Sequence, residues 1–532
     1  MFSWWVDYES SAMNHVTILT AILAFLYVVY KCVDSISDRR KAKALGCQPV
    51  PVQKNRLPLG LDHAYSAFLA IKAGQMPDHQ VQVYKDVGRR TFAGSSLGAS
   101  YIHTVEPKNI QAILATQFHD FEIGDLRRKV FFPLLGNGIF TSDGKAWEHS
   151  RAMLRPQFTR GQVADLELEE RHVQELFRLM PTDQSGWTEQ INITPMLFRL
   201  TIDSATEFLF GVTVHSQRHT SSQQSAADTE AFPWKDLARH FDESTKHLGV
   251  RSLFQELYFL YNPASFRNNI KEVHRFADFC IQQGLQRLDQ QKNSAAPAER
   301  YIFLDELLRV TRDPVEVKAQ LLNILIAGRD TTAGLLSWTF WLLAQHPAVY
   351  SKLRTRVLED FGPEGRTDRI TFAALKSCTY LQHVMSEVLR LFPAVPLNAR
   401  RAARDTTLPL GGGPDGKSPI FVKKGHEVGY SVYVTHRLEE YWGPDAEQFN
   451  PDRWIDRKHG WDYLPFNGGP RICLGQQFAL TEAGYVIVRM LQRFDQVNLA
   501  GPPVTAPSHN YGITDAPHDY MIYLHEAGSK AG

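Results

Sequence analysis

The sequence predicts a predominantly helical chain headed by one membrane-spanning helix. Two observations carry this. Ser10–Tyr30 contains no Lys, Arg, Asp or Glu, and helical periodicity with apolar faces recurs over Gly161–Phe210, Ser265–Gln290, Asp313–Gln345 and Gln476–Phe494. Extended signals are confined to short stretches, such as the small and β-prone residues of Arg90–Val105, which predict a hairpin.

Composition sets the class. Of 532 residues, 43% are hydrophobic and 22% charged, with a formal net charge of +1. These values suit a globular enzyme with a large core and give no case for a nucleic-acid partner. The cysteines (Cys32, Cys47, Cys280, Cys378, Cys473) are scattered and form no C-x-x-C pair, which points to a reducing, cytosolic setting.

At the N-terminal end, Val16–Tyr30 is dense enough in apolar residues to carry a helix across a bilayer. Trp4 and Trp5 precede it where interfacial aromatics belong, with Asp7 and Glu9. Lys31, Arg39, Arg40, Lys41 and Lys43 follow it. The positive-inside rule then places the rest of the chain in the cytosol. Basic residues after the apolar core, and the lack of a small-residue cleavage site, favour a retained anchor over a cleaved signal. Pro49, Pro51 and Pro58 form a stiff connector. The expected division is an anchor over 1–33, a basic and proline-rich linker over 34–60, and the main domain over 61–532.

Within that domain, Pro107 opens a helix over Glu106–Thr116. Phe118–Phe140, aromatic and punctuated by glycine, reads as a long ordered loop walling a cavity. A helix follows from Ser142 and Asp143, carrying Trp147 and Arg151 four apart on one face. Val214–Thr229, rich in Ser, Gln and His, reads as a surface insertion. Helices around Trp234–Leu248 and Ser265–Gln290 flank the apolar stretch Leu253–Tyr261, which has two open readings: core, or a connector that dips into lipid.

Asp313–Gln345 is very apolar and long, yet it holds Gly328, Asp330, Thr331 and Thr332 mid-helix, where glycine and threonine are costly. Gly328 thins the helix for a small ligand, Thr331 can bond back one turn, and Asp330 beside it supplies an acid for proton relay. Glu387 and Arg390 stand at i, i+3 on one helix face. Gly411–Gly416 lacks the Gly-Lys-Ser/Thr ending of a phosphate loop and reads as a hairpin loop.

The turn-rich segment Phe466–Gly475 presents Cys473 just ahead of the helix-patterned Gln476–Phe494. A helix N-terminus lowers a thiol pKa, so a metal-binding thiolate is expected there. Gly468 and Gly469 let the backbone bend, Pro470 stiffens it, and Gly475 leaves room beside the sulfur. Arg471 can meet an acidic ligand group.

The spacing Phe-x-x-Gly-x-Arg-x-Cys-x-Gly from Phe466 to Gly475 resembles the haem-binding loop of cytochrome P450. Trp147 with Arg151, Ala327–Thr331, Glu387 with Arg390, and Phe449–Trp454 resemble that family's other motifs in order, and the resemblance runs from about Pro49 onward. It implies a mainly α fold with small β-sheets around a haem b whose iron is ligated by Cys473. It further implies that Trp147, Arg151, Arg400 and Arg471 hold the propionates and that Phe466 and Gly475 shape the loop. Asp330 and Thr331 would handle oxygen, Arg453 would join Glu387 and Arg390, and Tyr511–Thr514 would be a substrate-contacting turn. Ala327 stands where animal fatty-acid ω-hydroxylases often carry a glutamate esterified to haem, which implies a non-covalently held haem.

The implied reaction is monooxygenation with O2 and electrons from a separate NADPH-cytochrome P450 reductase, on a single-pass protein of the endoplasmic reticulum membrane. A finer resemblance, over Leu135–Thr141, Ser150–Phe158, Ala327–Gly334 and Asn467–Ala483, is to the fungal n-alkane and fatty-acid ω-hydroxylase branch. It implies a lipophilic substrate oxidised at its terminal carbon. The alternatives are a monooxygenase of a xenobiotic or pathway intermediate, a haem-thiolate isomerase or dehydratase, and a haem sensor; the acid–alcohol pair counts against the last two.

Overall fold

A computed structural model describes residues 3–158, 166–218, 234–291, 301–502 and 507–529. Gly161, the expected start of a helix, and most of Val214–Thr229 lie outside the described residues. The helices that position the site run in chain order as α1 Ser3–Ala44, α2 Leu61–Lys72, α3 Met76–Val87, α4 Gly124–Leu135, α5 Gly144–Leu154, α6 Leu166–Arg178, α7 Ile193–Phe210, α8 Leu237–Leu253, α9 Ala264–Gln291, α10 Pro314–Gln345, α11 Thr379–Leu391 and α12 Gln476–Arg493.

The sheets are small and lie beside this helical mass. One has the order β1 (Thr91–Ser96), β2 (Ala99–Thr104), β8 (Glu427–Ser431), β5 (Leu397–Ala402), β3 (Phe121–Glu122). A second joins β4 (Ile191–Asn192), β12 (Met521–Glu526) and β9 (Phe494–Leu499), and two hairpins pair β6 (Thr406–Gly412) with β7 (Ser418–Val422) and β10 (His509–Tyr511) with β11 (Asp515–Pro517). The hairpin expected at Arg90–Val105 is present as β1–β2, and Gly413 and Gly416 fall in the turn of β6–β7.

Several expectations change. The first helix runs to Ala44, so the basic part of the expected linker is helical. Within Thr17–Ala44 it holds an apolar window long enough to cross a membrane, and that window is not covered by the rest of the chain. Beyond the apolar part, Asp34 and Asp38 pair with Lys423, and Lys41 with Asp405, so the end of α1 is held against the β6–β7 hairpin by charge as well as by the proline connector. Phe118–Phe140 is not a loop: α4 fills its middle, followed by a turn that Asn323 of α10 holds through Leu135 O and Phe140 N. The Glu106–Thr116 helix is short, Pro107–Gln111, and widens at Ala112–Thr116. Leu253–Tyr261 is not core, because Leu257, Phe259 and Leu260 are 42%, 61% and 66% exposed.

The core around α10 holds ionic joints as well as apolar side chains. Glu387 is fully buried; it accepts two bonds from Arg390 (2.8 Å each), one from Arg453 Nε (3.3 Å) and one from Trp454 Nε1 (3.0 Å). Arg390 in turn donates to the carbonyls of His436, Ala446 and Gln448, which fastens α11 to the segment leading into the cysteine loop. Removing one partner strands the other charge in the core. Glu387→Ala or Arg390→Ala is therefore expected to cost about 3–5 kcal/mol, read as a lowered unfolding midpoint and little haem-loaded protein.

Glu482 of α12 is a second buried acid, bonded by Ser204 Oγ of α7 at 2.6 Å. Burial pushes its carboxyl pKa up to about 7, against the pull of Ser204 and Thr332. The folded state thus holds this proton more tightly than the unfolded state, and stability is lost as pH rises from the ordinary glutamate value through about 7. Glu482→Gln is expected to raise the melting midpoint by ~2–4 °C at pH 8 and to leave it unchanged at pH 5.

Candidate active site

The cysteine loop is a tight backbone construction. The Cys473 amide donates to Phe466 O (3.0 Å), and Phe466 packs its ring on the main core. Gly469 has φ +67°, and a Cβ there would lie 1.8 Å from Leu114 O, so only glycine permits this approach. Pro470 sits in a short turn, Gly469–Arg471. At Gly475 a Cβ would make an ordinary 3.6 Å contact with Phe158. The contribution of Gly475 is an amide bonded to the Cys473 thiol.

Cys473 faces a cavity of about 630 Å³ lined by Trp147, Arg151, Phe158, Gly469 and Leu474 among others. Cys473 is exposed to that cavity, with protein packed densely around the loop that carries it. Burial pushes its pKa up, while the Gly475 amide and Arg151 pull it down. The expected lowering by the helix N-terminus is thus outweighed by desolvation. A thiolate here needs a cation at the sulfur, which is what a haem iron supplies.

Arginines stand around the cysteine loop, and Arg151 among them lines the cavity. Trp147, 6% exposed, has the Arg471 guanidinium 4.4 Å from its ring and that of Arg151 at 5.8 Å. Arg471 bonds Asp143 Oδ1 (2.7 Å) and Ser142 O (3.0 Å), and Arg151 bonds Ile472 O (3.0 Å) inside the cysteine loop. From the sheet side, Arg400 donates to Asn398 Oδ1 (3.0 Å) and Ala399 O (2.7 Å). The same Asn398 oxygen takes a bond from Arg127 of α4 (3.1 Å). Burial, offset in part by Asp143, lowers the pKa of Arg471 to about 10 with Arg400, Arg127 and Arg151 adding repulsion. Burial and Arg400 likewise lower Arg127 to about 10. Among the described residues only Arg471 of these four is ion-paired, with Asp143.

A buried group of guanidinium ions with one paired carboxylate is short of negative charge. A flat macrocycle with two propionates and a cationic centre fits both halves of the site: the carboxylates meet the arginines and the metal meets the thiol. Arg127 was not legible in the sequence, since it lay in a stretch read as loop. Its signal is three-dimensional, an arginine on α4 sharing Asn398 with Arg400.

Helix α10 forms another wall. Between Ala319 and Ala344 only Ala327, Gly328 and Thr331 are not fully buried, and a Cβ added at Gly328 would meet nothing within 4 Å. These residues share one face, which therefore borders open space. Thr331 Oγ1 donates to Ala327 O at 2.6 Å, the back-bond expected from the sequence. Asp330 and Thr331 are held by different partners. The Asp330 carboxylate accepts from Arg329 (2.8 Å), whose guanidinium also pairs with Asp242 of α8 (2.5 Å) and lies over Phe198 (4.9 Å). Burial pushes Asp330 up to about 6 despite Arg329. Arg329 and Asp242 are further site-adjacent groups that spacing in the sequence did not single out.

Comparison with known proteins agrees with this geometry. The family model described as cytochrome P450 matches residues 66–521. Cytochrome P450 monooxygenase g430 of a Fusarium species is 50% identical over 484 residues, 88% of this chain and 84% of that protein. Cytochrome P450 52A13 of Debaryomyces hansenii is 45% identical over 511 residues, 95% of this chain and 96% of that protein. Cytochrome P450 monooxygenase alt2 of Alternaria solani is 42% identical over 520 residues, again 95% and 96%.

The placement of Arg127 gives a direct test. Arg127→Ala is expected to weaken haem retention about 10-fold or more, measured as haem transfer from the purified protein to apomyoglobin, with the 450 nm carbon monoxide band kept in the loaded fraction.

Proposed function

The chain belongs to the cytochrome P450 family, and on that footing we propose that it hydroxylates the terminal carbon of long-chain alkanes or fatty acids at a membrane surface. It is a haem-thiolate monooxygenase of lipophilic substrates. The observation that supports an alkyl-chain substrate is similarity to the 52A proteins across 95% of the chain, joined to the fungal ω-hydroxylase resemblance of its haem-facing segments.

When bound, the haem supplies the iron at which O2 is activated, one oxygen atom entering the C–H bond and the other leaving as water. The protein's own part is positional and protic. Cys473 would give the thiolate, Trp147, Arg151, Arg471, Arg400 and Arg127 would orient the propionates, and Ala327 offers no carboxylate for an ester, so the haem would be held without a covalent bond. Thr331 places a hydroxyl on the open face of α10, and Asp330, titrating near 6, can take and give a proton near neutrality.

Electrons come, in this reading, from NADPH-cytochrome P450 reductase, with α1 anchoring the protein once through the endoplasmic reticulum membrane and the body in the cytosol. The exposed Leu257, Phe259 and Leu260 would meet the lipid in which such a substrate dissolves. A second reading takes a xenobiotic or pathway intermediate as the substrate; in its favour, the Fusarium and Alternaria monooxygenases, whose names carry no substrate, are as similar to this chain as the 52A proteins.

Turnover in reductase-containing membranes separates these readings. Dodecane and laurate are expected to give terminal alcohols that require NADPH, identified by mass spectrometry, and Asp330→Asn is expected to slow them roughly 100-fold with haem loading unchanged. No product from either chain would overturn the alkyl reading, and product formed without NADPH would overturn monooxygenation.

A further inference from the structure

The turn Tyr511–Thr514 joins β10 to β11, whose ladder is only three residue pairs long (His509 to Pro517, Asn510 to Ala516, Tyr511 to Asp515). A two-stranded ribbon of that size does not hold its own shape. Yet this one is inserted at a demanding place. A Cβ on Gly334 of α10 would lie 2.7 Å from Asp515 O, so helix and hairpin touch backbone to backbone. Gly334, itself buried, lies three residues beyond Thr331 on the same side of the helix. On its other side Gly512 approaches Gly249 of α8, with a Cβ at 249 only 3.6 Å from the Gly512 Cα, while Gly512 itself has open space before it. Asp515 N also bonds Ala394 O (3.0 Å), in the segment leading to Arg400.

What holds the hairpin is buried charge. His509 and Asp515 are essentially fully buried, and His509 Nδ1 lies 3.1 and 2.9 Å from the two Asp515 oxygens. Behind the imidazole, Nε2 faces Asp78 Oδ2 of α3 at 3.7 Å, and Asp78 Oδ1 accepts from Tyr433 OH at 2.7 Å. Arg437 lies 3.5 Å over the Tyr433 ring, and the His509 ring packs at 5.1 Å from that of Trp338 in α10. Asp515 and Asp78 together hold His509 as a cation, its pKa raised to about 9 despite burial.

We propose that Asp78, His509 and Asp515 form an ionic clamp that positions the Tyr511–Thr514 turn on the open face of α10 and thereby sets which carbon of a bound chain is presented for oxidation. His509 and its two carboxylates are positioning residues; none of them touches the reacting atoms. The inference rests on the alkyl-chain reading only for its product assay, and a second probe is independent of it.

His509→Gln keeps a side chain of similar reach and removes the charge; Asp78→Asn leaves the inner His509–Asp515 pair intact and removes only the outer carboxylate. Three measurements on the full-length, haem-loaded protein are decisive. Hydrogen exchange over 509–517 is expected to rise. The dissociation constants of N-octyl-, N-decyl- and N-dodecylimidazole, read from the shift of the haem absorption band, are expected to lose their wild-type tail-length order by about 10-fold, the scale of one misplaced methylene. The ratio of terminal to subterminal alcohol from laurate is expected to fall by a similar factor.

The imidazole series binds whatever the natural substrate is, so failure of the alkyl reading leaves it standing. Unchanged tail-length order and product ratio in loaded variants would overturn the clamp. Loss of haem in both variants would also overturn it, by assigning the group to folding alone.

Discussion

Everything at this site follows from one electrostatic constraint: a sulfur that opens only on a cavity and several partly buried guanidinium groups share a site with too little negative charge. Desolvation disfavours the Cys473 thiolate, and the same desolvation, with mutual repulsion, depresses Arg127 and Arg471. Asp143 balances only part of that charge. A ligand that brings two carboxylates and a metal cation relieves both penalties at once. The protein alone is therefore an electrostatic half, which explains why a sheet strand, two helices and the cysteine loop each bring an arginine to the same site.

The long helix α10 does a different job from each part of its surface. Most of it is buried among apolar side chains, yet Ala327, Gly328 and Thr331 leave a small window. One residue away, Asp330 is tied by Arg329 to Asp242, and one turn on, Gly334 receives the backbone of the β10–β11 hairpin. Thus the helix couples its open face, helix α8 and the Tyr511–Thr514 turn through contacts that differ in kind: an ion pair, a hydroxyl back-bond and a backbone packing.

Charge also serves the architecture. The Glu387, Arg390 and Arg453 joint, the Glu482 and Ser204 bond and the His509 clamp all sit in places where elements distant in sequence meet. Such groups contribute little net stability when fully paired, but each leaves a large penalty if its partner moves away. They select one arrangement of elements over near alternatives, and a site made from five segments needs that selection.

Much of this was determined by local sequence. The Phe466–Gly475 spacing, the polar interruption at Gly328–Thr332 and the charge asymmetry around the first apolar stretch are short-range patterns, because loop geometry, helix periodicity and hydropathy are short-range properties. Tertiary structure alone decided the rest. It placed Arg127 beside Arg400 through Asn398, joined Asp330 to Asp242, turned Leu257–Leu260 outward and made the Cys473 thiol harder, not easier, to ionise than its position before a helix suggested. The reason is common to all four: burial and charge balance are sums over neighbours from distant parts of the chain, and no local pattern contains them.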